Sequence, residues 1–232
     1  MTIDRRTLLT ALAAWPFSSI AQETSLSRPL SREQRDRMTP AHVLDELKLG
    51  NERFRTGRMA SHDFLHQKRT SAEAQFPAAA MLGCIDSRTP AEILFDVGIG
   101  DMFSARIAGN VVNDDLLGSL EFSCAVAGAK AVVLFGHTGC GAIKGAIDDV
   151  EMGNLTGLLG RIKPAVSATV FHGDRSSANP AYVDAVARTN VRLGIEAIRS
   201  KSPVLARLES TGAVQLAGAM YDLSTGVVEF LG

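Results

Sequence analysis

The sequence predicts an α/β fold: a mainly parallel β-sheet flanked by helices, with an antiparallel C-terminal edge strand. Three observations predict it. Residues 78–83 and 130–136 form short apolar runs, each ending abruptly in a polar cluster, as buried parallel strands do. Segments with helical spacing follow both runs, and strand–helix alternation is the pattern of a parallel sheet. The chain ends in two strand-like runs around Ser224, Thr225 and Gly226, a hairpin by its turn chemistry.

At 232 residues the chain is long enough for one good-sized core, with an ordinary 46% hydrophobic content. The net charge of −1 offers no basic field for nucleic acid. No fixed-period repeat or low-complexity tract is present.

Residues 1–21 read as an export signal. Arg5 and Arg6 precede an apolar stretch over residues 8–17, and the small residues Ser19 and Ala21 are spaced for cleavage after Ala21. Thr7, Leu8 and Leu9 follow the arginine pair, so the segment resembles a twin-arginine signal; an ordinary secretory signal is the alternative. The expected location is periplasmic or secreted, with no membrane span left after processing. Residues 22–38 are expected to form a linker or N-terminal arm, and residues 39–232 a single domain.

Within that domain, Thr39 is placed to cap a helix that starts at Pro40. Leu44, Leu47 and Phe54 keep its spacing and Gly57 closes it. Residues 58–69 are expected as a surface loop or short helix. His62 and His66, spaced i, i+4, are read as a solvated pair, because no acid or thiol is near them. Gln75 and Pro77 lead into the first strand. Thr89 and Pro90 start a helix. Residues 101–112 give a second strand and a Gly-Asn turn, and Asp114 or Asp115 caps a helix running through Ala127. The third strand and a helix after Cys140 follow. Residues 154–169 have weak helical spacing broken by Pro164, and residues 171–180 form a loop in which His172 is solvated. Residues 182–200 form a long helix, and Ser202 with Pro203 caps a short one.

The chemistry-bearing residues gather at strand ends. His137 stands at the carboxyl end of the third strand and Cys140 in the first turn of the next helix. Open α/β sheets bind ligands at that crevice, and a helix N-terminus lowers a thiol's pKa. Gly136, Gly139 and Gly141 supply the tight turn and a close backbone approach. Cys84 ends the first strand in the same way. If the two strands are neighbours, Cys84, His137 and Cys140 converge on a metal. Two thiolates and an imidazole suit zinc, one per chain, and three protein ligands leave a position for water, the mark of a catalytic site. Asp86 lies two residues beyond Cys84 and can accept a hydrogen bond from a metal-bound hydroxide. Arg88, two further on, can hold Asp86 ionised and aimed. The third cysteine, Cys124, falls within a helical pattern and reads as a buried structural thiol.

The CIDSR segment from Cys84 to Arg88 and the GHTGCGA segment from Gly136 to Ala142, in that order, resemble those of a β-class carbonic anhydrase. The resemblance covers nearly everything from Pro40 to Gly232. It implies reversible hydration of carbon dioxide to bicarbonate and a proton, with Asp86 and Arg88 orienting the nucleophile. It further implies that Gln75 hydrogen-bonds substrate, that Phe103 forms an apolar wall of the pocket, and that Phe122 stands where many members carry tyrosine. Gly141 is set with these substrate-binding positions. Met81 stands where the bicarbonate-inhibited subtype has tryptophan, so no regulatory bicarbonate pocket is expected. The family's active site lies at a dimer interface, which implies a homodimer or higher homo-oligomer. Rival functions are hydrolysis of carbon disulfide or carbonyl sulfide on the same fold, a non-catalytic zinc-stabilised binding protein, and a dithiol redox protein. The intact Asp86–Arg88 pair argues against the second, and the absence of a CxxC spacing against the third.

Overall fold

The computed structural model describes residues 29–231. The export signal assigned to residues 1–21 lies outside them, as does most of the arm before Pro29. The rest of that arm is not plain linker. Ser31 caps a short helix, α1 (Arg32–Arg37), through a reciprocal capping box with Gln34.

Thr39 caps α2 (Pro40–Arg55) as its sequence position predicts, its hydroxyl accepting from the His42 N–H. A third helix, α3 (Phe64–Thr70), starts from Asp63. The first core strand, β1 (Ala79–Gly83), is buried along its whole length. It is followed by the single-turn α4 (Ala91–Leu94) and by β2 (Met102–Arg106). A tight turn over Ala108–Asn110, with Gly109 in the left-handed region, leads to α5 (Asp114–Glu121). The cap of α5 is Asn113, whose side chain accepts from the Leu116 N–H. The expected caps, Asp114 and Asp115, sit inside the first turn instead, where their charges complement the helix dipole. A widened turn, Phe122–Val126, prolongs α5.

Then come β3 (Ala131–His137), α6 (Gly141–Ile147), α7 (Gly153–Gly160) and α8 (Lys163–Ala168). Pro164 lies in the first turn of α8, where its missing N–H costs nothing; it opens that helix rather than only breaking its predecessor. The long α9 (Pro180–Lys201), α10 (Pro203–Ser210), β4 (Gln215–Tyr221) and β5 (Val228–Leu231) complete the chain.

The five strands run in the order β2-β1-β3-β4-β5. All neighbours are parallel except the terminal hairpin β4–β5. The central strand β3 alternates its side chains between two buried faces. Val133 and Phe135 pack with α2 and α4 through Leu44, Leu47, Leu94 and Phe95. Val132 and Leu134 pack with Leu120, Ile195 and Ile198 on the other side. Gly194 lets α9 lie directly on β3, since a Cβ there would overlap the Leu134 side chain.

His62 departs from the sequence expectation. Its side chain is 6% exposed, and its Nε2 donates to the Asp96 carboxylate at 2.9 Å. The acidic partner lies 34 residues away in sequence, so no local reading finds it. His172 is exposed, as expected.

Candidate metal centre

Register brings the two half-sites together. Leu82 on β1 pairs with Leu134 on β3, so Cys84, two residues on, emerges level with Gly136 and beside His137. The chain then turns through Thr138 and Gly139, the latter in the left-handed region that glycine adopts without strain. The turn is held by the Gly139 N–H donating to Asp184 of α9 at 2.9 Å, and it delivers Cys140 to the N-cap of α6.

The ligand atoms of Cys84, His137 and Cys140 all lie within 4.8 Å of one another, and all three residues are buried. The two sulfurs are 3.9 Å apart. His137 Nδ1 faces its neighbour's carbonyl, that of Thr138, at 3.0 Å. With its proton there, the ring leaves a lone pair on Nε2, a buried atom with no hydrogen-bond partner. Such an orphaned nitrogen beside two thiols is costly unless something claims it. The donor set, one imidazole and two sulfurs, fits zinc.

The thiols differ in acidity. Cys84 is the more acidic, because Cys140 hydrogen-bonds to it and His137 and the Gly109 N–H, 3.3 Å from its sulfur, add to the effect. The pairing with Cys84, and then burial, raise Cys140. Cys124, in the prolonged turn after α5, is pushed up to about 12 by burial alone, consistent with an inert structural thiol.

Asp86 stands beside the cluster, its Oδ2 3.9 Å from His137 Nε2. Arg88 grips it with both prongs, Nε to Oδ1 at 3.0 Å and Nη2 to Oδ2 at 2.8 Å, while its own backbone N–H donates to Oδ1 at 3.0 Å. The Arg88 guanidinium holds the Asp86 carboxyl well below the usual carboxylate range. Gly141, the first residue of α6, has open space where a side chain would be. Cys84, Asp86, Arg88, His137, Cys140 and Gly141 are therefore gathered at one end of the sheet.

Gln75, Phe103 and Phe122 are not gathered there. Gln75 is exposed and precedes β1, at the opposite end of that strand from Cys84. Phe103 pairs with Ala80, four residues short of Cys84 and so about 13 Å away along the strand. Phe122 packs edge-on against Phe103, ring centres 6.2 Å apart. Both line an open groove along the edge strand β2, with Met81 and Leu120.

Three supporting residues escaped the sequence reading. Asp184 is one. The others are Arg106, at the end of β2, and Thr89, which both bond the backbone around Asp86. A polar residue closing a third strand at the same end of the sheet was the available signal for Arg106.

Fold and site together define a class of protein: a mainly parallel α/β fold with a Cys-His-Cys cluster at its strand ends that could hold a metal ion. A family model described as carbonic anhydrase matches residues 79–228. Carbonic anhydrase 2 of Mycobacterium tuberculosis is 33% identical over 189 residues, covering 81% of this chain and 90% of the relative. The crystal structure of the β-carbonic anhydrase CafA of Aspergillus fumigatus is similar with a TM-score of 0.63 at 25% identity, covering 82% of this chain and 89% of that one. Two tetrameric β-carbonic anhydrases of Sordaria macrospora share the fold, one with a TM-score of 0.64 at 24% identity, covering 83% and 95%. The chain belongs to the carbonic anhydrase family, on the β-class fold.

Proposed function

We propose that this enzyme catalyses the reversible hydration of carbon dioxide to bicarbonate and a proton, with zinc held by Cys84, His137 and Cys140. One observation carries the reading: the three ligand atoms converge within 4.8 Å beside an aspartate clamped by Arg88. Zinc, when bound, supplies the Lewis acidity that makes hydroxide available as a nucleophile near neutral pH. The chain does the rest. Asp86, kept ionised by Arg88, can only accept hydrogen bonds. It therefore fixes the direction in which the nucleophile points its proton, and hence its lone pair. With the metal bound, Cys84 and Cys140 would be held as thiolates and contribute negative charge to the centre, and His137 is locked in orientation by its bond to the Thr138 carbonyl.

Carbon dioxide is small and apolar and needs an apolar wall. Phe103 and Phe122 stand too far from their own chain's centre to provide it. We assign them, with Gln75, to the centre of a second copy in a homodimer or larger homo-oligomer. Ile85, 60% exposed between Cys84 and Asp86, is apolar surface that such a partner would cover. We further propose export before function, on the strength of the Arg5–Arg6 signal and the small residues before Gln22.

The test is stopped-flow carbon dioxide hydration by the zinc-loaded protein, with metal analysis of the same sample. The expected result is about one zinc per chain, as a three-ligand site requires, with hydration activity. Cys84→Ser, His137→Ala and Cys140→Ser should each lose zinc. Full zinc retention in any of the three would remove that residue from the ligand set, and a zinc-loaded protein without hydration activity would overturn the reading.

A further inference from the structure

The ladder between β1 and β2 ends where the site begins. Its last rung joins Gly83 to the strand end, with the Ile107 N–H donating to the Gly83 carbonyl at 3.0 Å. Beyond it, the carbonyls of Cys84 and Asp86 have no strand partner. The Arg106 side chain takes over. Its Nε donates to the Cys84 carbonyl at 2.9 Å. Its Nη2 donates to the Asp86 carbonyl and lies 3.4 Å from Thr89 Oγ1. Thr89, fully buried, donates its own hydroxyl to the Asp86 carbonyl at 2.9 Å. Among the described residues Arg106 forms no ion pair with a carboxylate.

We propose that Arg106 is a positioning residue for the metal centre. Its planar fork spans two carbonyls on alternate residues, one belonging to the metal ligand Cys84 and the other to Asp86. It thereby fixes the spacing between the centre and the group that orients the nucleophile. A fork does this better than a point charge, because two donors in one rigid plane set both distance and angle. Arg88 aims the Asp86 carboxylate, whereas Arg106 sets where its backbone stands. The catalytic half of this inference rests on the hydration activity proposed above, and the metal-holding half on the zinc site proposed with it.

The test compares Arg106→Lys, Arg106→Gln and Arg106→Met with the parent protein. Three quantities are measured: the absorption spectrum of the cobalt(II)-loaded proteins, the rate of zinc release to a chelator, and kcat and KM for carbon dioxide hydration. Arg106→Met is expected to release zinc about 10- to 100-fold faster, the usual cost of losing an outer partner of a metal ligand. Its cobalt spectrum should shift, and kcat should fall with KM little changed. Lys and Gln, which each keep a donor but not the fork, should fall between. If Arg106→Met does not fold, the Lys and Gln variants carry the test. Parent-like zinc release and an unchanged cobalt spectrum in the folded variants would overturn the proposal, even with a lowered melting temperature, since that is what a merely structural arginine would give. A parent protein without hydration activity would defeat the proposed function, while the spectrum and zinc release would still decide the clamp.

Discussion

In the function proposed above Asp86 is the residue on which the chemistry turns, and its ionisation is set locally. Arg88 lowers its pKa through two side-chain hydrogen bonds and a backbone one, so Asp86 stays a carboxylate throughout the neutral and mildly acidic range. Replacing it with asparagine keeps the shape but puts an N–H₂ where an acceptor is needed. Asp86→Asn should retain zinc and lose on the order of 10²–10³ in hydration rate, the usual cost of a lost electrostatic positioning group. The measurement is hydration rate at full zinc occupancy. A near-normal rate would show that another group orients the nucleophile and that the pair with Arg88 is structural. Arg88→Ala should likewise keep zinc, with a smaller loss, since Asp86 remains present but unclamped.

At the scale of elements, the front of the molecule is tied together by one buried carboxylate. Asp96, fully buried after α4, accepts from Arg53 Nε of α2 at 2.5 Å, from the Ala60 N–H at 3.0 Å and from His62 at 2.9 Å. Gln67 of α3 bonds His62 Nδ1 at 3.3 Å and accepts from the Ile99 N–H at 3.0 Å. Burial pushes the Asp96 pKa up, but the hydrogen bonds from Arg53, Ala60 and His62 outweigh it, and the net shift is downward. The sign follows. A carboxylate with a depressed native pKa adds stability that is fully present above its unfolded value, about 3.9, and that disappears as pH falls through the native value. Asp96→Asn should therefore cost about 2–4 kcal/mol at neutral pH, the scale of a broken buried pair whose cation still reaches solvent. The gap between parent and variant should close below pH 4, as urea unfolding at a series of pH values would record. A gap that kept its size down to pH 2 would show that the charge on Asp96 is not its source.

At the scale of the whole molecule, the groove beside the edge strand β2 holds the exposed Phe122, and Ile85 is exposed at the strand end beside the cluster; a second copy would cover both on the reading proposed above. Light scattering is expected to give at least a dimer. Phe122→Asp should shift it toward monomer and lower hydration activity together, while leaving zinc binding intact. A fully active monomer would show that one chain completes its own pocket. Processing is tested separately: protein from the native host should begin at Gln22, and an intact Met1 on cytoplasmic protein would refute export.

Much of this was legible from the sequence because the signals were local. Strand and helix periods, Thr39 with Pro40, the hairpin turn at Ser224 to Gly226, and both half-sites were each written within a few residues. The ligand set needed only one further assumption, that two strands were neighbours, and the Leu82–Leu134 register supplies it. What the sequence hid was everything set by long-range approach. His62 looked solvated because Asp96 is remote in the chain. Arg106 went unread because its partners are carbonyls, which carry no residue identity. Phe103 matched the resembled family's pattern by residue type, and Phe122 only by position, standing where many members carry tyrosine. Their distance from Cys84 along the strand belongs to the folded sheet alone. Short-range chemistry thus determined the elements and the ligand types. The tertiary structure decided which carbonyls are gripped, which histidine is buried, and which aromatics lie away from the cluster of their own chain.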